Sequence, residues 1–383
     1  MVTHIFNAEM YHLSPGIIDG MMQNFKADQF RFILLGTDKV EKIRYISIFE
    51  KYNFCDYTFC SYKPSDISRL LFQYRLSAIL FHGGTSIWWQ AAFDAGCENV
   101  NWICWGGDAK WDTSRRKEQN VLKRLIGGLY DRIMYRKRVK LYSRFKSIVA
   151  LMEADKKSIV SQFKVNADKI YVISYWSRRN TTFRHIIEDL INSPRTHQPN
   201  KPLVLLGNNP GNIPYYSTLL DVLKRFSGRI NLHCMLQYSL EKNDAYYALV
   251  EKGKSLFGND FVTDEDFMSM DQYYPYMNTA DVYICAHPDQ SGLGAINTMI
   301  LLGKKVYITG KNLEYITGYG AKVNEVSELE NVSYENLIAP VPKSEQIKNR
   351  QAQDMFLGKS VQLWKDYFIH IDSDSERRQQ VYL

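Results

Sequence analysis

The feature that most constrains the fold is a recurring pattern in which a short apolar run ends at a glycine or polar turn and a helix-period segment follows. Such alternation is typical of α/β folds, where parallel strands and covering helices succeed each other along the chain. The pattern predicts strands at 4–6, 30–35, 78–81, 102–105, 148–151, 170–173, 203–206, 230–236, 282–285 and 306–309. It therefore predicts a doubly wound α/β protein.

A polar, proline-bearing stretch at 192–202 interrupts this pattern, and its composition is typical of an exposed connection between domains. With 383 residues the chain is long enough for two domains, each with a full core. We expect an N-terminal Rossmann-like domain over 1–190, a linker over 191–202, a C-terminal Rossmann-like domain over 203–345, and closing helices with a frayed tail over 346–383. Two such domains are expected to face each other across a central cleft, with ligands beyond the carboxyl ends of the strands.

The cysteine pattern and the N-terminal composition indicate a reducing compartment. The six cysteines form no CxxC pair and no Cys/His cluster with zinc spacing, so we expect neither a disulfide framework nor a structural metal. No cofactor is expected either. No basic start followed by a long apolar run occurs near the N-terminus, and no window of about 20 apolar residues occurs anywhere. The sequence therefore predicts no signal peptide, no membrane span and a cytoplasmic location.

Positive charge is concentrated in one segment. Residues 108–146 hold thirteen Lys and Arg against four acids, whereas the chain as a whole carries +7, so this segment accounts for the entire basic excess. Apolar residues recur at helical spacing from Leu122 to Ile133, which predicts a basic amphipathic helix. Such a helix lies on an anionic membrane surface, or packs on its own domain with a solvated basic face. Nucleic acid is a weaker alternative, because no nucleic-acid-binding motif accompanies the charge. The membrane hypothesis assigns to the membrane face Arg115, Arg116, Lys123, Arg124, Arg136, Lys137 and Arg138.

The richest motif of the second half is HPDQSGLGAIN at 287–297, where an apolar run ends, small residues follow and an apolar helix is predicted. N–H groups at a helix start bind phosphate through hydrogen bonds and the helix dipole, although a plain tight turn has the same composition. Gly207 and Asn208 form a second turn after a strand, and two such turns in one domain favour the diphosphate of a sugar nucleotide. The candidate donor-binding residues are Gly207, Asn208, Gln237, Tyr238, Gln290, Ser291, Gly292, Gly294 and Asn297.

We expect specific contacts from three side chains near these turns. Tyr238 is expected to stack on the base, and Gln290 or Asn297 to bond ribose or phosphate. The acidic triplet at 264–266 has the composition to hold a divalent cation, but it is predicted instead to cap a helix beginning near Phe267.

Two candidate catalytic residues follow strands in the first half. His82 precedes two glycines, and Asp108 follows two, so that a polar ligand can approach either side chain closely, as a general base requires. The alternatives are a buried core histidine and an aspartate that caps a helix.

Together these stretches resemble the bacterial TDP-N-acetylfucosamine:lipid II N-acetylfucosaminyltransferases, the 4-alpha-L-fucosyltransferase family. The similarity rests on Phe81-His82-Gly83, on WICWGGD at 102–108, on Leu206-Gly207-Asn208, and on the segment 280–294. It implies a hexosyltransferase of the GT-B type that needs no metal, with a TDP-sugar donor in the C-terminal domain. It also implies an undecaprenyl-diphosphate-linked acceptor at the N-terminal domain and peripheral attachment to the cytoplasmic face of the inner membrane.

Within this resemblance Asp108 is favoured over His82 as the base, because the family block ends on it. The chain departs from many GT-B enzymes at one point: the donor loop has Asp289 and Asn297 where those enzymes carry two acids eight residues apart. Another nucleotide sugar, another acceptor, or a non-enzymatic sugar-nucleotide-binding protein are the alternatives.

Overall fold

The computed structural model describes residues 1–10, 13–36, 39–106, 121–176, 181–192, 200–207, 213–236, 242–266 and 268–381. The chain forms two compact units: unit 1 comprises Met1–Asn180 and Leu357–Leu383, and unit 2 comprises Thr181–Phe356. This division differs from the predicted domain boundaries, because a helix at 181–192 belongs to unit 2 and the C-terminal helix contributes to both units.

Unit 1 is built on a parallel sheet of seven strands in the order β3-β2-β1-β4-β5-β6-β7. Its strands are β1 Val2–Asn7, β2 Phe30–Leu35, β3 Tyr57–Cys60, β4 Ala78–His82, β5 Val100–Cys104, β6 Ser147–Ala150 and β7 Ile170–Val172. Its helices are α1 Ser14–Asn24, α2 Lys39–Lys51, α3 Pro64–Phe72, α4 Ser86–Asp94, α5 Val121–Ser143 and α6 Glu153–Phe163. The strand order reverses between β1 and β4, where doubly wound sheets bind ligands.

Unit 2 repeats this design with a parallel sheet of six strands in the order β10-β9-β8-β11-β12-β13. Its strands are β8 Leu203–Leu206, β9 Asn231–Met235, β10 Phe261–Asp264, β11 Val282–Cys285, β12 Lys305–Ile308 and β13 Asn324–Glu325. Its helices are α7 Thr181–Asn192, α8 Ile213–Leu223, α9 Asp244–Phe257, α10 Met270–Thr279, α11 Leu293–Leu301, α12 Gly310–Gly318 and α13 Tyr334–Ile338, and α14 Lys343–Val381 continues into unit 1. Here the order reverses between β8 and β11.

Helices cover both faces of each sheet, so the central strands carry continuous apolar runs rather than alternating ones. Every residue of β4, β5, β8 and β11 is buried. Each unit accordingly has two apolar clusters, one on either face of its sheet.

The C-terminal segment differs from its predicted form. The predicted frayed tail is helical as far as Val381, as the last part of α14. Its apolar residues explain the attachment to unit 1, since Trp364 is fully buried and its indole N–H donates to the Ser174 carbonyl oxygen at 2.8 Å. None of the helices in the described ranges has an apolar stretch long enough to cross a membrane.

Candidate functional site

Three described segments follow strands at the carboxyl edge of the unit 2 sheet, beside the point where its strand order reverses. The first follows β8 at Gly207, whose φ of +40° suits glycine and whose N–H donates to the Ile284 carbonyl oxygen at 2.8 Å. The second, 287–292, follows β11, and the third, 309–312, follows β12 and forms the N-cap and first turn of α12. Ligands of doubly wound sheets bind at this position.

The second loop ends at Gly292, which lies in the left-handed region with φ +64° and forms the N-cap of α11. Glycine adopts this conformation without strain, and it brings no side chain to cap the first amides of the helix. Gly294, one position inside the helix, is exposed, and a Cβ there would meet nothing within 4 Å. The helix dipole would stabilise the negative charge of a ligand at the start of α11.

Two polar side-chain atoms just before this helix lack hydrogen-bond partners among the described residues. Ser291 is 8% exposed, and its Oγ is buried without a partner among the described residues. The Oε1 atom of Gln290 is likewise buried without a partner among the described residues. Most buried polar atoms in folded proteins are hydrogen-bonded, so two unpaired atoms beside an uncapped helix start indicate a place for a polar ligand.

The backbone of Ser291 is held by a buried side chain from the first turn of α12. Asn312 is completely buried, and its Nδ2 donates to the Ser291 carbonyl oxygen at 2.8 Å while its Oδ1 accepts from the Ser291 N–H at 3.4 Å. The loop after β11 and the start of α12 touch at Gly310, where φ is +58° and a Cβ would lie 2.1 Å from the Pro288 carbonyl oxygen. The position of Ser291 and of the start of α11 thus depends on residues that follow β12.

A cation lies in the same group of loops. The Lys311 ammonium is 3.3 Å from a carboxylate oxygen of Asp289, and its backbone N–H donates to the Pro288 carbonyl oxygen at 2.9 Å. An anion at the start of α11 would therefore have Lys311, in the first turn of α12, on a neighbouring segment.

Asn297 has a structural role in this geometry. It is buried, its Nδ2 donates to the Leu293 carbonyl oxygen at 2.8 Å, and its Oδ1 accepts from the Tyr319 hydroxyl at 2.9 Å and from the Gln353 amide. These contacts tie α11 to α12 and α14. Contact between Asn297 and a donor nucleotide stays a prediction.

The acidic triplet at 264–266 does not cap a helix, so that prediction is wrong. Helix α10 begins at Met270, and its start is capped by Ser269 and Gln272, whose side chains form a capping box. The expectation of a helix near Phe267 placed the start three residues too early.

The acids instead belong to side-chain networks beside β9 and β10. Tyr276 donates to Asp264 and lies 2.8 Å from Nδ1 of His233, and burial together with the Asp264 carboxylate raises the pKa of Tyr276. The ion pair of Glu265 with Lys242, at 2.6 Å, lowers the pKa of that carboxyl. In the part of the chain that the structure describes, no group of three His, Cys, Asp or Glu side chains could hold a metal ion.

In unit 1, four polar side chains are linked at the position where the strand order reverses. Nδ1 of His4 lies 2.9 Å from Nε2 of His82, whose Nδ1 is 3.0 Å from the Tyr175 hydroxyl, and Trp105 donates to that hydroxyl at 2.7 Å. His82 is 1% exposed and stacks on Phe6 with ring centroids 3.7 Å apart. Burial lowers the pKa of His4 to about 3, and burial together with His4 lowers the pKa of His82 well below its usual value. Both histidines are therefore neutral.

These contacts bear on the prediction that His82 is catalytic. Both of its ring nitrogens are engaged within unit 1, so it reaches a ligand only through Tyr175. The glycines after it serve packing: Gly83 has φ +71°, and a Cβ there would lie 3.1 Å from the Trp105 ring. A catalytic role for His82 stays a prediction.

Helix α5 packs on its own unit through one face and exposes the other. Tyr135, Val139, Leu141 and Tyr142 lie against the core. The exposed face carries two large side chains, Tyr130 and Ile133, which are 47% and 46% exposed.

A groove of about 590 Å³ runs along α5. It is lined by Arg132, Tyr135, Arg136, Val139, Lys140, Ser143 and Lys164. Its four cationic side chains form no ion pair with a described residue. Lys137 is also exposed, whereas Arg138 is half-buried, donates to the Tyr142 hydroxyl at 3.0 Å and lies over the Phe163 ring.

Several predicted residues lie outside the described ranges. These are Asp108, Arg115, Arg116, Asn208, Gln237 and Tyr238. Lys123 and Arg124 lie in α5, but their side chains are outside the description. The roles assigned to all of them stay predictions.

No protein-family model and no curated protein sequence matches the chain. Solved structures do. A glycosyltransferase from Rickettsia africae is 14% identical, with 97% of this chain and 98% of that chain covered and a TM-score of 0.62. HepE from Anabaena, in complex with UDP and glucose, is 14% identical, with 96% and 99% covered and a TM-score of 0.61. A UDP-N-acetylglucosamine 2-epimerase from Rickettsia bellii is 12% identical, with 97% covered on both sides and a TM-score of 0.51.

These similarities confirm the predicted fold class, because the two doubly wound sheets are those of the GT-B fold. The fold is common to sugar-transferring and sugar-epimerising proteins, so only the individual site residues can distinguish these functions. Sequence reasoning missed Asn312, Lys311, Tyr175 and Trp105 as members of the two strand-end sites. The position of each just after a strand was the available signal, but its partners are distant in sequence.

Proposed function

We propose that the protein is a glycosyltransferase that uses a nucleoside diphosphate sugar, and that the donor diphosphate binds at the start of α11 in unit 2. The observation that carries this proposal is the pair of buried atoms, Ser291 Oγ and Gln290 Oε1, that have no partner among the described residues and lie beside a helix start without a side-chain cap. The Ser291 hydroxyl and Gln290 side chain are suited to hydrogen bonds with phosphate and ribose. The Lys311 ammonium adds positive charge nearby.

The leaving diphosphate develops negative charge as the bond to the sugar breaks. Oriented amides and a nearby lysine stabilise such charge without reorganising during the reaction. We therefore propose that transfer proceeds without a divalent cation.

The resemblance to the N-acetylfucosaminyltransferases refines the proposal. It suggests a TDP-linked acetamido-dideoxyhexose as donor and an undecaprenyl-diphosphate-linked saccharide as acceptor, bound at unit 1, in the synthesis of a surface polysaccharide. The structurally similar HepE was solved with UDP and glucose, so UDP-sugars are the main alternative donor class. Asp108 is the proposed base for the acceptor hydroxyl, and Asp108→Asn should lower turnover by about 10²–10⁴-fold with little change in donor affinity.

Removing the unpaired hydroxyl tests the donor site. Ser291→Ala deletes a buried polar atom that has no partner among the described residues, so the free protein should be as stable as wild type or more stable, by about 1 kcal/mol. Nucleotide affinity should fall, because the hydroxyl is used only in the complex. Thermal shift with TDP, UDP, GDP, ADP and CMP measures both effects, and we expect the largest shift with TDP.

Thr3→Val is the matched control, because Thr3 in unit 1 also has a buried hydroxyl oxygen without a partner among the described residues. It should leave every nucleotide shift unchanged. Ser291→Ala with wild-type nucleotide shifts would remove Ser291 from the donor site. No shift with any nucleotide in the wild type would reject the proposal, and interconversion of a nucleotide sugar without an acceptor would favour an epimerase.

We further propose that α5 attaches the protein to an anionic membrane. Tyr130 and Ile133 are exposed beside Arg132, Arg136 and Lys137, an arrangement in which apolar side chains enter the interface and cations contact headgroups. Each cation near an anionic surface contributes about 1 kcal/mol.

Sedimentation with phosphatidylglycerol-containing and pure phosphatidylcholine vesicles tests this attachment. The variant Arg132→Gln/Arg136→Gln/Lys140→Gln should lose binding to the anionic vesicles, and added salt should weaken wild-type binding. The control Lys254→Gln/Lys343→Gln/Lys348→Gln removes the same charge from exposed positions of unit 2. Equal losses in both variants would reject a specific role for α5.

A further inference from the structure

The groove along α5 is lined by cations and by no acid. Four of its seven lining residues, Arg132, Arg136, Lys140 and Lys164, are cationic, and the other three are neutral. None of the four forms an ion pair within the described ranges. The volume of about 590 Å³ lies in the range of ligand pockets, about 300–1,000 Å³. The electrostatic field of such a groove attracts an anion.

The three cations of α5 form one stripe on the helix. Arg132, Arg136 and Lys140 are spaced by four residues, and like charges at this spacing destabilise a helix. A rise of about 1.5 Å per residue spreads them over about 12 Å. Lys164, the C-cap of α6, adds a fourth cation from the neighbouring helix. A bound anion would relieve the repulsion among these charges.

Helix dipoles account for only part of this charge. Both α5 and α6 end beside the groove, and the carboxyl end of a helix favours a cation. Lys140 lies in the last turn of α5, and Lys164 follows the last turn of α6. Arg136 and Arg132 precede the end of α5 by about two and about three turns, where the effect of the dipole has faded. The dipoles therefore do not explain the two arginines.

The chemistry of arginine favours a phosphate group as the ligand. A guanidinium donates two parallel hydrogen bonds to phosphate oxygens, which an ammonium cannot do. A terminal phosphate carries a charge of about −1.5 to −2 at pH 7 and has three acceptor oxygens, more than a phosphodiester offers. Four cations are therefore matched better by a terminal phosphate or diphosphate than by a phosphodiester.

Apolar surface in and beside the groove indicates that the phosphate belongs to a lipid. Tyr135 and Val139 line the groove, and the Tyr135 hydroxyl donates to the Gln162 carbonyl oxygen at 2.5 Å, which holds the ring in place. Ile133 is 46% exposed and lies about 60° around the helix from Arg136. An inorganic anion would leave these side chains in water, whereas the hydrocarbon chain of a lipid would cover them.

The groove is separate from the strand-end site of unit 1. Helix α5 begins after β5, at the carboxyl edge of the sheet, and ends before β6, at the amino edge. Arg136 lies about 22 Å along the helix from its start at Val121. A saccharide at the carboxyl edge and a phosphate in this groove are therefore two different ligands.

We propose that the groove along α5 binds the terminal phosphate or diphosphate of a membrane lipid, with Arg132 and Arg136 as the phosphate ligands. This inference rests on the proposed membrane attachment of α5 and names the lipid chemistry that the helix recognises.

Isothermal titration of the full chain with water-soluble probes tests the inference. Geranyl diphosphate and dihexanoyl phosphatidic acid carry a terminal phosphate on an apolar chain, dihexanoyl phosphatidylglycerol carries a phosphodiester, and inorganic diphosphate has no apolar chain. Geranyl diphosphate and phosphatidic acid should each bind with one equivalent per chain. The Kd of the other two probes should be at least about tenfold higher. A second series with a saturating nucleoside diphosphate separates this groove from the start of α11.

Three variants locate the binding. Arg132→Lys/Arg136→Lys keeps the net charge but loses the paired guanidinium hydrogen bonds, so the Kd for geranyl diphosphate should rise by about tenfold while binding to phosphatidylglycerol vesicles is retained. Lys164→Gln should raise the same Kd by about fivefold. Its control is Lys156→Gln, which removes one charge from the first turn of the same helix, outside the groove, and should leave this Kd unchanged.

The outcomes separate the inference from the proposed attachment. Equal Kd values for all four probes, an unchanged Kd in Arg132→Lys/Arg136→Lys, or loss of geranyl diphosphate binding when the nucleotide is present overturns the inference. Displacement of geranyl diphosphate by a short RNA that binds more tightly than either lipid assigns the groove to nucleic acid and also overturns it. Binding of the soluble lipids as expected, without binding of the wild type to phosphatidylglycerol vesicles, rejects the membrane attachment and leaves a lipid-phosphate site in the groove.

Discussion

Replacing Asn312 with Leu should weaken nucleotide binding although Asn312 itself need not touch the ligand. Its carboxamide is the hydrogen-bond partner of both backbone groups of Ser291, the N–H and the C=O. Leucine has nearly the same size but neither donates nor accepts, so the Ser291 N–H would lose its buried partner and the Ser291 C=O would keep only the Cys285 thiol, at 3.7 Å. At about 1–3 kcal/mol for the unsatisfied N–H and about 1 kcal/mol for the hydrogen bond lost at the C=O, the unfolding free energy should fall by about 2–4 kcal/mol. This is within the stability of most folded domains.

The structure supplies a control with the same chemistry. Asn349 holds the backbone of Lys322 in the same way, accepting from its N–H at 2.8 Å and donating to its C=O at 2.9 Å. This contact precedes β13, at the opposite edge of the unit 2 sheet from the strand-end loops. Asn349→Leu should therefore cost a similar unfolding free energy without moving the start of α11.

Urea denaturation and isothermal titration with a nucleoside diphosphate measure the two effects separately. Asn312→Leu should raise Kd by about tenfold or more, ~1.4 kcal/mol, while Asn349→Leu leaves Kd unchanged. If both variants lose stability equally and bind nucleotide equally well, then the geometry around Ser291 does not determine binding and the donor site lies elsewhere.

Three further predictions concern glycines, histidines and metal ions. Gly310→Ala should destabilise unit 2 by at least about 1–2 kcal/mol, because φ is +58° and the new Cβ would meet the Pro288 carbonyl oxygen, whereas Gly294→Ala has open space around its Cβ and should stabilise α11 by about 0.5–1 kcal/mol. Thermal melts compare the two variants, and equal melting temperatures would contradict the contact between Gly310 and Pro288. The unfolding free energy should be greatest above about pH 6.5 and should fall below it by about 1.4 kcal/mol per pH unit for each of His4 and His82, because the unfolded chain binds protons that the folded pair does not. His4→Asn should remove about one histidine's share of this slope when the unfolding free energy from urea denaturation is plotted against pH. An unchanged slope would refute the low pKa of His4. Transfer activity should survive excess EDTA, and strict dependence on magnesium or manganese would show that the amides and Lys311 are insufficient.

The central strands could be predicted from the sequence because they are buried on both faces. A continuous apolar run such as Leu203–Leu206 is visible without any knowledge of its neighbours. The three strands that the sequence did not reveal, β3, β10 and β13, all lie at sheet edges. An edge strand is partly exposed, as every residue of β3 is, so it carries no continuous apolar run.

Residues of the candidate sites could likewise be predicted only where a local sequence pattern defines them. Ser291 and Gly292 were predictable because the strand, turn and helix start that define them are contiguous in sequence. The contact of Asn312 with Ser291 spans 21 positions, and the link from His82 to Tyr175 spans 93. Such pairs are made by the order of strands in the sheet, which a single sequence does not reveal.

The most direct test of the donor site is a crystal structure of the protein with a bound nucleoside diphosphate. We expect the diphosphate to lie at the start of α11, with a phosphate oxygen within hydrogen-bond distance of Ser291 Oγ and of the first amides of the helix. TDP and UDP complexes should share this position whichever base is preferred. A diphosphate bound elsewhere in unit 2, or in unit 1, with Ser291 Oγ still unpaired, would contradict the account.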